Sequence, residues 1–203
     1  MKLLKVFRDN PNERFIELAA DTMRRGGIVI YPTDTLYALG CDALNNNAIE
    51  RICKLKGIRS DRTNLSIICS DLSEVAKYAR LENANFRLLK ENLPGQFTFI
   101  LPALSKLPKA FKGRKTVGVR IPDNRIALAL VEALGNPIMT SSITIDDDED
   151  ADYLTEPELI AERFASDADL VIDGGHGGTE PSTVVDCTTD EPEIVRQGAG
   201  VLG

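Results

Sequence analysis

The amino-acid sequence predicts an α/β fold in which helices cover both faces of a mixed β-sheet. Segments with helical periodicity interleave with short apolar runs typical of strands, an arrangement that favours a sheet packed between helices. Some neighbouring strands are separated only by short turns, which indicates antiparallel as well as parallel pairs. No repeat or linker divides the 203 residues, so residues 1–203 are predicted to form one domain.

The first predicted elements are a helix, a strand and a second helix. Asn10 caps the first helix, a proline occupies its first turn, and Gly26 ends it after apolar residues at helical spacing. The apolar run Ile28–Tyr31 predicts a buried strand. Asn45–Asn47 begins the second helix, whose apolar residues recur every three or four positions.

The remaining elements alternate in the same way. Asp71 and Asn124 are predicted helix caps, another helix ends before Pro94, and Thr155 begins the last helix. Strands are predicted, in chain order, at residues 65–69, 97–101, 116–121, 137–139, 170–172, 183–185 and 193–195.

Composition limits the classes of protein to which the chain can belong. Hydrophobic residues make up 43% of the chain, which is close to the globular average. The formal charge of −7, from 31 acidic and 24 basic residues, disfavours non-specific binding to nucleic acids. The acidic run Asp146–Asp150 is interpreted as a solvated loop rather than a calcium or magnesium site, because it lacks the alternation and turn glycine of such sites.

Four cysteines and one histidine limit the available chemistry. Cys41, Cys53, Cys69 and Cys187 lack C-x-x-C spacing and are predicted to be buried, reduced thiols. A histidine-based zinc site or a serine–histidine–aspartate triad would depend on His176 alone. The apolar run at Met1–Lys5 is too short for a signal peptide, and no apolar stretch reaches the roughly 20 residues of a membrane span. The predicted location is the cytoplasm.

Two polar motifs border the N-terminal elements. Tyr31–Thr35 directly follows a buried strand, where polar side chains commonly line a ligand cleft, although such residues also form ordinary turns. Four cations lie within nine residues at the end of the second helix: Lys54, Lys56, Arg59 and Arg62. They complement the helix dipole, form a solvated face, or hold phosphate groups.

Further motifs follow in the second half of the chain. Arg120 interrupts an apolar strand and requires either an internal carboxylate or a bound anion. The hydroxyls of Thr140–Thr144 either bind a ligand or cap local backbone. The glycines of Asp173–Gly178 either approach an anion or form a flexible loop, which is no Walker motif because no G-K-[ST] follows. Arg196 ends the last predicted strand.

Taken in order, these segments resemble the YrdC family, and most closely its YciO branch. The resemblance implies a three-layer α/β fold of the YrdC/RibB type, a large twisted mixed sheet flanked by helices, with a concave and positively charged cleft. The matching segments are Tyr31–Thr35, Tyr37–Gly40, Lys56–Arg59, Pro94-Gly95 with Thr98, Val117–Pro122, Thr140–Thr144, Asp173–Gly175, Ser182–Asp186 and Arg196.

The resemblance also implies a reaction. Family members of the YrdC type are nucleotidyltransferases that make threonylcarbamoyl-AMP and pyrophosphate from L-threonine, bicarbonate and ATP, for the modification of adenosine in tRNA. Magnesium is expected to accompany ATP. A carbamate of threonine attacks the α-phosphorus, so the reaction needs no protein nucleophile and depends on positioning and charge neutralisation.

Eight positions correspond to positions that act in the family. Lys56 and Arg59 are the implied catalytic residues. Lys56 and Thr35 are expected on the amino-acid side of the cleft, and Arg59 and Arg196 near phosphate. The implied substrate- and nucleotide-binding residues are Thr35, Arg120, Ser142, Thr144, Ser182 and Arg196.

Three departures from the family pattern favour the YciO branch. Ile58 lengthens the usual lysine-x-arginine spacing, Thr144 stands where the family has asparagine, and Ile68 stands where it has histidine. A threonine lacks the amide that both donates and accepts, and small displacements weaken positioning catalysis. The departures predict weak or altered synthase activity.

The alternative is a protein that binds double-stranded RNA or tRNA without this activity, since the family has also been described as binding double-stranded RNA. Its support in the sequence is the basic stretch Lys106–Arg120. A solvated face explains such a stretch equally well, and aromatic residues that could stack on bases are few.

Overall fold

Ten strands form one mixed sheet in the part of the chain that the computed structural model describes, residues 2–58, 65–107, 111, 115–144 and 150–203. Their order across the sheet is β1-β8-β2-β3-β7-β4-β6-β5-β9-β10. The β1–β8, β2–β8, β4–β6 and β5–β9 pairs are parallel and the others antiparallel, which confirms the predicted mixed sheet. The strands are β1 (Lys2–Lys5), β2 (Val29–Tyr31), β3 (Ala38–Asp42), β4 (Ser66–Ile68), β5 (Phe97–Pro102), β6 (Thr116–Arg120), β7 (Ile138–Ser142), β8 (Leu170–Asp173), β9 (Thr183–Asp186) and β10 (Glu193–Arg196).

Helices lie on both faces of this sheet, as predicted. On one face, α1 and α5 pack against Val29 and Tyr31. On the opposite face, α2 and α7 pack against Ile28 and Ile30, the alternate residues of the same segment. The described helices are α1 (Glu13–Arg24), α2 (Asn46–Leu55), α3 (Leu72–Tyr78), α4 (Asn83–Asn92), α5 (Arg125–Leu134), α6 (Asp152–Thr155) and α7 (Pro157–Arg163).

Most element predictions are confirmed, and the differences have identifiable physical causes. The first helix is capped by Asn12 rather than Asn10, because the Asn12 Oδ1 atom accepts from the N–H of Phe15 three residues later, at 3.3 Å. Strand β3 was not predicted, since Gly40 and Asp42 both disfavour strands. Its position between β2 and β7, with all five residues buried, overrides that preference.

Gly40 makes room for a side chain from the neighbouring strand. A Cβ atom at this position would lie 2.5 Å from the Tyr31 ring and 2.7 Å from the Ile138 side chain. The Tyr31 ring therefore lies across β3 at Gly40, and its hydroxyl lies 2.8 Å from the Thr140 hydroxyl on β7. Gly40 and Thr140 are direct partners in the β3–β7 register.

The buried cap of α5 gives a stability prediction. The Asn124 Oδ1 atom accepts from the N–H groups of Ile126 and Ala127, at 3.0 and 3.1 Å. Replacing Asn124 with alanine leaves both donors unsatisfied, so the free energy of unfolding should fall by about 1–2 kcal/mol. Urea denaturation measures the change, and Asn124→Asp, which retains an acceptor oxygen, is the control. A loss below about 0.3 kcal/mol in Asn124→Ala would contradict this role for the cap.

Candidate functional site

A cleft of about 500 Å³ lies over the central and C-terminal part of the sheet, within the size range of ligand sites. Strands β4, β5, β6, β7, β9 and β10 contribute to it, together with the end of α2. We call it the cationic cleft, because three cations and no carboxylate line it among the described residues. Its lining residues are Lys56, Arg120 and Arg196, the hydroxyl residues Ser66, Thr98, Thr140, Ser141, Ser142, Thr144 and Ser182, and Ile58, Ile100, Gly118, Val184 and Val195.

The cleft brings together six of the eight site residues that the sequence predicts: Lys56, Arg120, Ser142, Thr144, Ser182 and Arg196. Thr35 lies behind Arg120, and its hydroxyl accepts from the arginine Nη2 atom at 3.0 Å. Arg59 lies outside the described residues, as does Arg62 of the same basic cluster.

Lys56 is fixed at the end of α2 by two hydrogen bonds across the cleft. Its Nζ atom donates to the carbonyl oxygen of Ser142 at 3.0 Å and to the hydroxyl of Thr144 at 2.7 Å. Burial lowers the pKa of Lys56, and the positive charge of Arg163 lowers it further. Thr144, which stands at the family's asparagine position, therefore acts as an acceptor for the lysine.

A second cluster connects β9 and β10 to β5. The Nε and Nη2 atoms of Arg196 donate to the carbonyl oxygen of Ser182 at 3.2 and 2.7 Å. The Ser182 hydroxyl accepts from Nη2 at 3.3 Å and shares a hydrogen bond of 2.9 Å with the Thr98 hydroxyl. Arg196 is thus held at the cleft by its own strand neighbours, and burial lowers its pKa.

Arg120 forms a buried ion pair behind the cleft. Its Nη2 atom lies 3.0 Å from Asp34 Oδ1, and the two side chains are 4% and 6% exposed. The second Asp34 oxygen accepts from the N–H of Asp123 at 3.0 Å. Burial raises the pKa of Asp34, although the positive charge of Arg120 opposes the rise. The buried Nε atom of Arg120 has no hydrogen-bond partner among the described residues.

Asp34, Tyr31, Thr98 and Thr140 were predicted only as members of longer motifs, without individual partners. Asp34 belongs to a motif that was recognised, but its pairing with Arg120 depends on a contact between residues 86 positions apart. The Tyr31–Thr140 contact spans 109 positions. No local sequence signal identifies either contact, because the partners lie far apart in the chain.

The glycine-rich loop after β8 does not offer its amides to a ligand. The N–H of Gly174 donates to the Tyr37 hydroxyl, and that of Gly175 donates to its neighbour Asp173. The N–H groups of Gly177 and Gly178 donate to the carbonyl oxygens of Thr155 and Thr35. All four amides are therefore used to close the loop against the sheet.

A larger cavity of about 1010 Å³ lies on the other side of Thr35 and Asp34. It carries charges of both signs: the carboxylates of Asp9, Glu91 and Asp123 line it together with Arg8 and Arg125. The mixed charge makes it less suitable for a polyanion than the cationic cleft, although it is twice as large.

Several other predictions can be compared with the structure. All four cysteines are free and buried, as predicted. The described residues contain no group of three or more metal-ligating His, Cys, Asp or Glu side chains. None of the described helices is long and apolar enough to cross a membrane. Most of the acidic run and part of the basic stretch lie outside the described residues: 146–149, Lys109, Lys112 and Arg114.

Sequence comparison identifies related proteins over almost the whole chain. The family model Sua5/YciO/YrdC, described as telomere recombination, matches residues 21–198. YciO of Escherichia coli (strain K12) is 43% identical over 194 residues, which cover 95% of this chain and 93% of that protein. Threonylcarbamoyl-AMP synthase of Pyrococcus abyssi is 35% identical over 202 residues, which cover 98% of this chain but 58% of the synthase.

Solved structures agree with the sequence comparison. The crystal structure of E. coli YciO superposes with a TM-score of 0.90 at 41% identity, covering 99% of this chain and 98% of that one. The structure of P. abyssi Sua5 complexed with L-threonine superposes with a TM-score of 0.87 at 33% identity, covering 98% and 58%. The mixed ten-stranded sheet and the sequence matches together confirm the resemblance, and the chain belongs to the Sua5/YciO/YrdC family.

Proposed function

We propose that the cationic cleft binds ATP and that the chain is an adenylyl-transferring enzyme related to threonylcarbamoyl-AMP synthase. The observation that carries the proposal is the joint placement of Lys56, Arg120 and Arg196 around one cleft without a described carboxylate. Lys56 and Arg196 can offset part of the charge of a triphosphate, whereas the charge of Arg120 is already balanced by Asp34 behind the cleft. The hydroxyls around these cations donate hydrogen bonds to phosphate oxygens. The relatives named as threonylcarbamoyl-AMP synthases support this choice of reaction.

In the proposed reaction, the amine of L-threonine and bicarbonate form a carbamate with loss of water. The carbamate oxygen then attacks the α-phosphorus of ATP while pyrophosphate leaves. The carbamate oxygen forms the new bond to phosphorus as the bond to the bridging oxygen of pyrophosphate breaks. The chain's contribution is to hold the reactants in line and to neutralise the negative charge on the leaving group. We assign the phosphate side to Arg196 and Arg59, and the amino-acid side to Lys56.

Magnesium is expected as the companion of ATP rather than as a resident ion. The described residues of the cleft supply hydroxyls and cations but no carboxylate, and carboxylates are the usual protein ligands of magnesium. These residues do not fit a protein-bound magnesium site, and no step of the proposal depends on one.

The test is pyrophosphate release from ATP, magnesium, bicarbonate and L-threonine, with a threonine-free control and an Arg59→Ala variant. Release that depends on threonine and is lost in the variant is the expected result. Absence of release while ATP still binds would show that the reaction belongs to another substrate. Absence of ATP binding would overturn the proposal.

Thr144 offers a test of why activity is expected to be weak or altered. Because its hydroxyl already accepts from Lys56, it has less capacity to orient a substrate than an asparagine amide, which donates and accepts at once. Thr144→Asn is expected to raise the threonine-dependent rate about threefold or more, by adding roughly one hydrogen bond. The matched control is Thr144→Val, which should lower the rate. An unchanged rate in both variants would contradict a role for this position.

Binding of tRNA or double-stranded RNA stays a prediction, and a filter-binding titration at increasing salt concentration tests it. Affinity that falls steeply with salt would support phosphate contacts. We also propose that residues 1–203 act as one domain and that the protein works in the cytoplasm.

A further inference from the structure

We infer that Tyr31 is a positioning residue for the cationic cleft, and that the cleft favours anionic groups that carry no acidic hydrogen. The inference rests on the proposed function only in that it places an anion in the cleft. Donor groups of the protein fix the direction in which the hydroxyl groups of the cleft point their protons.

Tyr31 reaches the cleft from behind. Its ring is fully buried between the sheet and the helices α1 and α5, and it passes across β3 at Gly40, where a Cβ atom would lie 3.0 Å from its hydroxyl oxygen. The hydroxyl donates to Thr140 Oγ1 at 2.8 Å. Burial raises the pKa of Tyr31, so the donor keeps its proton at physiological pH.

This contact fixes the role of the Thr140 hydroxyl. Its oxygen accepts from Tyr31, and its own proton has no acceptor among the described residues. Since Thr140 lines the cleft, the proton is available to a ligand there. Without Tyr31, the same hydroxyl could turn and accept from a ligand equally well.

Three other hydroxyl groups of the cleft, those of Thr144, Thr98 and Ser182, also have partners in the protein. Thr144 accepts from Lys56, whose ammonium group can only donate. Thr98 and Ser182 share one hydrogen bond, which uses one of their two protons and leaves the other for the cleft. Together with the proton of Thr140, three hydroxyl protons are therefore available to a ligand.

The carbonyl and carboxylate acceptors described at the cleft are engaged by the protein itself, and the acceptors left to a ligand are hydroxyl oxygens, among them those of Ser66, Ser141 and Ser142. The carbonyl oxygens of Ser142 and Ser182 accept from Lys56 and Arg196. The Asp34 carboxylate lies behind Arg120, and its oxygens accept from Arg120 and from the N–H of Asp123. A ligand that carries an acidic hydrogen would find only the spare lone pairs of hydroxyl groups. Sulfate, pyrophosphate or an internal phosphate of ATP needs no acceptor.

Calorimetric titration of the full chain with sulfate and with inorganic phosphate tests the inference. At about pH 8 both anions carry two negative charges, because phosphate has lost its second proton, and they differ in the one hydrogen that phosphate retains. We expect sulfate to bind about tenfold more tightly, the equivalent of one hydrogen bond to a charged group. Equal affinities, or no binding of either anion, would overturn the inference.

The Tyr31→Phe variant tests the positioning role. It removes one oxygen atom and keeps the ring, and it is expected to reduce the preference for sulfate to about threefold or less, because the Thr140 hydroxyl can then accept. Tyr37→Phe is the matched control: Tyr37 is also fully buried, but its hydroxyl bonds to Gly174 and Gly175 instead. A loss of stability without a change in the sulfate-to-phosphate ratio would reduce Tyr31 to a packing residue.

A second variant keeps the test decisive if Tyr31→Phe is poorly folded. Thr140→Val removes the hydroxyl itself and should weaken sulfate binding about tenfold. The outcome is separate from that of the synthase assay. A preference for sulfate without release of pyrophosphate would support this inference and contradict the proposed function. Release of pyrophosphate without a preference for sulfate would overturn this inference and leave the proposed function intact.

Discussion

Replacing Asp34 with alanine is expected to lower the free energy of unfolding by about 3–5 kcal/mol, the cost of leaving a buried charge without its partner. Arg120 is only 3% exposed, and Asp34 is the carboxylate that contacts it among the described residues. The substitution also leaves the N–H of Asp123 without its acceptor. Chemical denaturation followed by far-ultraviolet circular dichroism measures the loss.

The double variant Asp34→Ala with Arg120→Met separates the charge effect from loss of packing. With both charges removed, no unpaired ion remains in the interior, and most of the lost stability should return. A single Asp34→Ala variant that loses less than about 1 kcal/mol would contradict the buried ion pair. A double variant as unstable as the single one would show that packing, rather than charge, dominates at this position.

The second large effect is expected at Arg196. Its replacement with alanine removes a cation from the cleft and releases the Ser182 carbonyl oxygen that its guanidinium group holds. Threonine-dependent release of pyrophosphate should fall about 100- to 1000-fold, the usual consequence of removing one preorganised donor from a charged transition state. Steady-state kinetics with ATP as the varied substrate measure the effect.

Two controls make the Arg196 prediction specific. Arg196→Lys keeps the positive charge but loses the two hydrogen bonds that the guanidinium group donates to the Ser182 carbonyl oxygen. It should therefore retain only part of the rate of the unchanged protein. Arg87 on α4 is exposed and lies outside the cleft, and Arg87→Ala should retain full activity. Equal losses in Arg196→Ala and Arg87→Ala would indicate a general effect of charge rather than a local contact.

The sequence predicted most of the fold because most of its elements have a local signal of their own. Apolar periodicity and caps such as Asn45, Asp71 and Asn124 identified helices that the structure confirms. Strand β1 has only four residues, and β3 contains a glycine and an aspartate. These strands form because neighbours from distant parts of the chain pair with them, and no short window of sequence contains that information.

The candidate site, like the fold, could be predicted only in part. Cations and hydroxyls at strand ends were recognised because their residue types are unusual in those positions, and six of them line one cleft. The hydrogen-bond partners of these residues were not recognised. Asp34, the partner of Arg120, belongs to a different motif, and Tyr31, the partner of Thr140, belongs to an apolar strand. Motif order could indicate which residues meet, but not which atom donates to which.

The place of β8 in the sheet has a consequence for biosynthesis. This strand is made late, yet it is inserted between β1 and β2, which are made first, and pairs in parallel with both. In the described sheet, a nascent chain that ends before Leu170 has no partner for β1 and leaves one edge of β2 open. Folding must wait for long-range contacts of this kind, and unpaired edges are prone to aggregation. We therefore expect nascent chains of this protein to leave the edge of β2 unpaired until β8 has been made.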